Sequence, residues 1–266
     1  MRTTPGTSIR LVVFDWTGTL IDHGGVAPVR AMMAAFGNSG VMLTSGQART
    51  GIGLRKRDHI ESILRIPDVL RRFRSVYGRA PSQTDIDALL AGYLPEQCSA
   101  IRRYGELIDG ALASVAVLRK RGIAIATITG YCREAAELVL DSARQQGFTP
   151  DYSVCADDIL AARPTPFMVH GCMQALAIER PREVLVVGDT LLDSAAWTRV
   201  GVAATGNEVG LTSCEWHALS ISERNAWLAN AHGSLRDAGA DFVIDTLHEL
   251  PLVVSHIEQR RLSSAA

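Results

Sequence analysis

Asp15 closes the apolar run Leu11-Val12-Val13-Phe14 and opens the turn Asp15-Trp16-Thr17-Gly18-Thr19. A carboxylate at the C-terminal end of a buried strand, followed by glycine and flanked by hydroxyls, stands where open α/β sheets place their chemistry, so Asp15 is a candidate nucleophile. The same residue types also favour a plain turn capping a strand, and this motif alone leaves both readings open. Lysine supplies the second chemical handle. Of the 27 Lys and Arg residues, only Lys56 and Lys120 are lysine. Lys120 ends a basic helical turn before Gly122, where either cation suits the helix dipole. Lys56 lies in Gly53-Leu54-Arg55-Lys56-Arg57-Asp58-His59, and arginine cannot do what lysine can, which is form an imine with a carbonyl. The competing reading of that segment is a solvated basic helix face.

Later strand ends repeat the first. Ile125-Ala126-Thr127-Ile128 runs into Thr129-Gly130-Tyr131, offering a hydroxyl and a backbone N–H to a phosphoryl oxygen. Val184-Leu185-Val186-Val187 runs into Gly188-Asp189-Thr190, with Asp193 four residues beyond Asp189. Carboxylates on neighbouring strand ends make an oxygen-rich site suited to Mg²⁺, which binds through one or two carboxylates, waters and substrate phosphate. Between these motifs, Ala162-Arg163-Pro164 places a guanidinium just before a helix. Singly, each has a plain reading: Thr-Gly as a turn, Asp193 as a first-turn helix residue, Arg163 as one arginine among many.

Apolar runs and breaks mark the elements that must position these groups. A strand over 9–15 leads to Pro28 as a first helical residue, a helix over 29–36 and a stop at Gly37. Thr44 and Gln47 form a capping-box pattern ahead of the Lys56 segment. From Asp58 to Tyr104 the pattern is almost wholly helical, with Ile60, Ile63 and Leu64 at helical spacing and breaks near Pro67, at Gly78 to Pro81 and near Pro95. After Gly110 the chain alternates. The pattern gives helix 111–121, strand 123–129, helix 134–146, strand 151–155, helix 166–177 and strand 184–187. Helix 193–200, strand 202–205 and strand 242–244 follow, before a closing helix. Alternation of this kind predicts an α/β fold with a doubly wound, parallel, Rossmann-like sheet. Residues 1–23 and 104–266 form the core in this reading, and 24–103 an inserted α-helical cap domain that carries Lys56.

Composition bounds the rest. The 266 residues are 47% hydrophobic and 21% charged, ordinary for a globular chain. A formal net charge of -1 supplies no summed field toward nucleic acid or an anionic membrane. No signal-peptide core or membrane-length apolar run is present, and a cytoplasmic location is expected. Cys98, Cys132, Cys155, Cys172 and Cys214 lack C-x-x-C spacing and fit reduced thiols, mostly small buried apolar residues.

Together the motifs resemble those of the haloacid dehalogenase superfamily over nearly the whole chain. The resemblance implies that Asp15 attacks phosphorus and that Thr129 and Arg163 bind phosphate. It also implies that Asp15, Asp189, Asp193 and the backbone carbonyl of Thr17 hold Mg²⁺. A closer resemblance is to the phosphonatase (phosphonoacetaldehyde hydrolase) family, which is similar at Asp15-Trp16-Thr17-Gly18-Thr19, at the segment Gly53 to His59, at Thr129-Gly130-Tyr131 and at Arg163-Pro164. That resemblance implies a Schiff base on Lys56, substrate binding by Thr129, Gly130, Tyr131 and Arg163, and a homodimer. The dimer contact would lie near Met32 and Met33, which at helical spacing could equally be core.

The implied chemistry needs both handles. Breaking a C–P bond leaves electrons on carbon, and a protonated imine beside that carbon takes them up. Arg55 and Arg57, with partial burial, are expected to help Lys56 lose its proton. His59, one helical turn on, is either a proton relay or structural. Thr17 stands where phosphatases of the superfamily carry a second Asp to protonate an alkoxide, which disfavours ordinary ester hydrolysis. The family usually has Ala, Met and often Cys where this chain has Thr17, Ile52 and Gly25, so the exact aldehyde is open. Two other readings remain at this point: a Mg²⁺-dependent phosphatase or phosphotransferase, and a catalytically idle binding protein on the same fold.

Overall fold

A computed structural model describes residues 8–159, 165–190 and 197–265. Arg163 and Asp193 lie outside these residues. The first strand, β1 (Leu11–Asp15), sends Val12 and Phe14 to one face of the sheet and Leu11 and Val13 to the other, as the two-residue strand repeat requires. All four are fully buried, which is why the run is apolar without alternation.

From the end of β1 the chain passes into five helices: α1 (Val26–Asn38), α2 (Ser45–Arg49), α3 (Lys56–Leu64), α4 (Pro67–Tyr77) and α5 (Gln83–Tyr104). They enclose their own apolar cluster, in which Met32 and Phe36 of α1 meet Ile60 and Ile63 of α3, Phe73 of α4 and Leu89 and Tyr93 of α5. Burying each such side chain contributes roughly 1.5–3 kcal/mol. Met32 is fully buried there and Met33 packs against the same cluster, so both serve this core. Thr44 caps α2 reciprocally with Gln47, as its spacing predicts.

Next come α6 (Ala111–Lys120), β2 (Ala124–Ile128), α7 (Arg133–Gln145), β3 (Tyr152–Val154), α8 (Phe167–Ala175) and β4 (Val184–Gly188). The C-terminal part adds β5 (Thr198–Val202), α9 (Ser213–Ala218), α10 (Ile221–Asp237), β6 (Phe242–Ile244) and α11 (Leu250–Ala265). The strands form a six-stranded sheet in the order β3-β2-β1-β4-β5-β6, and every pair is parallel. Helices cover both faces. The chain winds outward from β1 through β2 to β3, then returns to the far side of β1 at β4, which puts the topological switch point between β1 and β4. Asp15 lies opposite Ile128, and Phe14 opposite Val187. This register brings the residues that follow β2 and β4 out beside Asp15. No helix among the described residues is long and apolar enough to cross a membrane.

Several sequence expectations are corrected. Helix α1 starts at Val26 and runs through Gly37, with Gly25 in a left-handed conformation at its cap. Pro28 is therefore the third residue of the first turn, where its missing N–H still costs nothing. Pro95 does not break α5, because Tyr93, Gln97, Cys98 and Ile101 bury a continuous face around it and the helix loses one hydrogen bond rather than its packing. Residues 198–200, expected at the end of a helix, belong to β5, where Val200 and Val202 are held between β4 and β6. The strand expected over 202–205 is thus displaced toward the N-terminus. Helices α9 and α10 were not anticipated, although Thr212 with Glu215 and Ser220 with Glu223 cap them reciprocally.

Candidate active site

Three strand ends meet at one small cavity. Asp15 closes β1, Thr129 and Gly130 follow β2, and Asp189 follows β4; with Thr17, Lys56 and Tyr131 they line a cavity of about 40 Å³ completed by Pro28, Ile52, Gly53 and Thr190. Seven of the residues singled out in the sequence are thereby brought together. His59 does not line this cavity, and Arg163 and Asp193 fall outside the described residues. A larger cavity of about 440 Å³ lies beyond Asp22 and His23, toward Trp216 and His217. Of the strand-end groups it holds none, so volume and chemistry part company here.

Local backbone geometry orients the strand-end groups. The Trp16 N–H donates to Asp15 Oδ1 at 2.8 Å, steering the carboxylate from its own turn. Gly18 has φ of 73°, and any side chain there would run into the Asp189 carboxylate, so glycine alone lets the first turn close on β4. Asp189 is 5% exposed and its Oδ2 accepts the Asn207 N–H at 2.8 Å. The Thr129 hydroxyl accepts from the Tyr131 N–H at 3.2 Å, which leaves its own proton to donate. Thr17 Oγ1 and the Tyr131 phenol are 2.7 Å apart and share a hydrogen bond. Burial pushes the Tyr131 and Tyr93 phenols above their ordinary range, so both stay protonated.

Lysine 56 arrives from the helical insertion. As the first residue of α3 it stands at the positive end of a helix, where a cation is disfavoured. Its Nζ lies 5.8 Å from the Tyr93 ring centroid and 5.7 Å from that of Tyr131. Arg57, expected to crowd the ammonium, instead pairs with Asp87 and bonds Gln83 on α5, and Arg55 donates to the Ile159 carbonyl at 3.1 Å. The insertion also closes over the β2 turn: a Cβ at Gly130 would lie 3.2 Å from the Gly53 carbonyl oxygen.

His59 is fully buried one turn beyond Lys56, with Nε2 2.9 Å from the Ala48 carbonyl. A carbonyl only accepts, so Nε2 carries the proton and Nδ1 is left as an acceptor; it has no hydrogen-bond partner among the described residues. Burial, then the charge of Lys56, lowers His59 from 6.5 to about 3. The sign of the pH effect follows. Between those values the unfolded chain holds a proton that the folded one refuses, so the contribution is complete above pH 6.5 and is lost as the pH falls toward 3. Relative to His59→Gln, the wild type is expected to lose about 1.4 kcal/mol per pH unit below that point. Urea melts of both proteins from pH 4.5 to 7.5 check this, and parallel curves would refute it.

The described lining residues offer two carboxylates, Asp15 and Asp189, with hydroxyl and backbone oxygens around them and neither Cys nor His. Hard oxygen donors with few carboxylates match a cation that keeps several waters. The residues fit Mg²⁺.

Sequence reading missed Arg49, Tyr93 and Gln97. Tyr93 and Gln97, each 1% exposed on α5, carry a phenol oxygen and an amide nitrogen with no hydrogen-bond partner among the described residues, although Gln97 lies near enough to perturb both Tyr93 and Tyr131. Their only signal was polarity inside an apolar helical face. Arg49 carried none, since its partners lie far away along the chain.

Known proteins share this fold. A family model for haloacid dehalogenase-like hydrolases matches residues 9–201. The chain is 36% identical over 259 residues to a phosphonoacetaldehyde hydrolase of Paraburkholderia xenovorans (strain LB400), covering 95% of this chain and 96% of that one. It is 35% identical over 260 residues to a phosphonoacetaldehyde hydrolase of Bacillus cereus (strain B4264), with 96% and 98% covered. The crystal structure of a phosphonoacetaldehyde hydrolase-like protein from Oleispira antarctica superposes with a TM-score of 0.93 at 30% identity, covering 98% of this chain and 96% of that one. A β-phosphoglucomutase from Clostridium difficile, at a TM-score of 0.67 and 13% identity over 96% of this chain and 99% of its own, shares the fold alone.

Proposed function

Because the chain belongs to the haloacid dehalogenase-like hydrolases and, within them, to the phosphonoacetaldehyde hydrolase family, we propose that it cleaves the C–P bond of phosphonoacetaldehyde through an imine on Lys56 and an aspartyl phosphate on Asp15. The observation that carries this reading is the presence of Lys56 and Asp15 in the wall of one cavity, the first from the helical insertion and the second from the central strand. Residues 24–103 serve in this reading as a cap that delivers the amine, and residues 1–23 and 104–266 as the phosphoryl-transfer core.

Lys56 Nζ adds to the aldehyde carbon, one proton is taken up from solvent and water leaves, giving a protonated imine. An Asp15 carboxylate oxygen then attacks phosphorus as the P–C bond breaks, and the bonding pair moves into the iminium to leave an enamine on Lys56. Protonation of the terminal enamine carbon and hydrolysis release acetaldehyde and return the amine. A second water hydrolyses the acyl phosphate, freeing phosphate and Asp15. The Thr129 hydroxyl and the Gly130 N–H donate to phosphoryl oxygens, and Arg163 supplies a further cation by the family resemblance. Mg²⁺, held by Asp15, Asp189, the Thr17 carbonyl and, by resemblance, Asp193, would offset the negative charge of the phosphoryl group. Neutral His59 does not hold a second proton near pH 7, so we assign it a structural role, bonded through Nε2 to the Ala48 carbonyl, rather than that of a relay. Thr17, tied to Tyr131, has no acidic proton for an ester leaving group, which disfavours the phosphatase reading.

Borohydride reduction in the presence of phosphonoacetaldehyde, followed by peptide mapping, tests the reading. The reduced secondary amine is expected on Lys56. Labelling elsewhere, or none, removes the imine mechanism.

A further inference from the structure

Arg49, the last residue of α2, extends its guanidinium out of the helical insertion and into the core. Nη1 donates to Asn207 Oδ1 at 2.6 Å, and Nη2 donates to the carbonyls of Gly24 at 3.1 Å and Gly210 at 3.0 Å. These acceptors come from two separate stretches, the passage from β1 into α1 and the loop beyond β5. Asn207 faces both ways. Its side-chain oxygen takes Arg49 while its backbone N–H donates to Asp189 Oδ2 at 2.8 Å, so two hydrogen bonds connect the insertion to a carboxylate in the cavity wall. Partial burial holds the guanidinium below its ordinary range, and Asp189, Asp22 and Glu208 oppose this by favouring its charged form. Asp22, 2% exposed, in turn accepts the Val26 and Ala27 N–H groups at 3.0 and 2.9 Å, fastening the start of α1 beside the same arginine. A planar fork with five donors can hold three acceptors in fixed directions, and an ammonium cannot do so from one place.

We propose that Arg49 is a positioning residue which, through Asn207, couples the seating of the helical insertion to the orientation of Asp189 and so sets the affinity of the site for Mg²⁺. This rests on the assignment of Asp189 as a metal ligand. Outer partners that orient a ligating group change metal affinity by about 10–100-fold when removed. Linkage makes the effect reciprocal, so bound Mg²⁺ steadies the insertion to the degree that the seated insertion tightens Mg²⁺. Simple Coulomb attraction predicts the opposite sign: deleting a cation near Asp189 should tighten a divalent cation.

That opposition makes the test decisive. Mg²⁺ binding to the full chain without substrate, measured by calorimetry, is expected to weaken by about tenfold in Arg49→Ala and in the same direction in Asn207→Ala. The double variant should be no weaker than Arg49→Ala, because both changes cut one connection. Saturating Mg²⁺ should slow amide hydrogen exchange in residues 45–64 of the wild type and leave it unchanged in Arg49→Ala. Tighter or unaltered Mg²⁺ binding in Arg49→Ala would overturn the proposal. So would additive losses, or full wild-type affinity in Arg49→Lys, which keeps only the charge. Melting temperatures report whether each variant folds, and Asn207→Ala, which retains the backbone donor, stands in if Arg49→Ala does not. Failure of borohydride trapping at Lys56 with these Mg²⁺ results intact would reject the imine reaction and leave this coupling standing.

Discussion

Asp15→Asn is expected to lower turnover of phosphonoacetaldehyde by on the order of 10⁴-fold or more, while borohydride still traps the aldehyde on Lys56. The substitution is nearly isosteric. An amide oxygen can still accept the Trp16 N–H that Asp15 Oδ1 accepts at 2.8 Å, and β1 keeps its pairing on both sides, so folding should be preserved. What disappears is the anionic oxygen proposed to receive phosphorus. Imine formation needs the Lys56 amine and not the Asp15 carboxylate, so the two halves of the reaction separate in this variant. Single-turnover phosphate release and peptide mapping of the reduced adduct measure them independently. Retention of more than roughly 1% of wild-type turnover would exclude Asp15 as nucleophile.

The second large effect is at Lys56. Lys56→Arg keeps a cation between Tyr93 and Tyr131 and preserves the start of α3, yet a guanidinium forms no imine. C–P cleavage must then expel an unstabilised carbanion, and a loss on the order of 10³-fold or more in kcat is expected, equivalent to about 4 kcal/mol of barrier. Borohydride labelling should vanish with it. Substrates with a good oxygen leaving group distinguish this from general damage. Any hydrolysis of an aryl phosphate by the wild type should survive in Lys56→Arg and disappear in Asp15→Asn. Equal loss of both activities in Lys56→Arg would mean that the lysine serves phosphate binding rather than electron withdrawal.

The gathering of candidate residues at one cavity was legible in the sequence wherever a short stretch of chain sets the geometry. Asp15, Thr129 and Asp189 each follow an apolar run directly, and a parallel sheet aligns the ends of such runs without further information. Lys56 stood out through the near-absence of lysine elsewhere. Contacts between distant segments were not legible. Nothing near Arg49 in the chain indicates Asn207 or Gly210, and nothing near Arg57 indicates its pairing with Asp87. Element boundaries failed for local reasons with tertiary outcomes. Residues 198–200 sit beside a helix-like pattern but pair with β4 and β6, and Pro95 is carried by the packing of α5. Helices α9 and α10 were not anticipated because they lack a clean apolar stripe, and their reciprocal caps are their only local signal.

The strand order also has a consequence for how specificity can change. β1 is hydrogen-bonded to β2 and β4, so the carboxylate proposed to meet phosphorus rides on a backbone held on both flanks. Lys56, Ile52 and Gly53 reach the cavity from outside the sheet, on helices and turns tied to it by separable contacts such as those of Arg49. Substitutions in the sheet should therefore alter phosphorus transfer for every substrate alike, whereas substitutions at Ile52, which lines the cavity from the insertion, should redirect the protein among leaving groups. Drift toward new carbon skeletons is open to this chain at little risk to the chemistry of phosphorus.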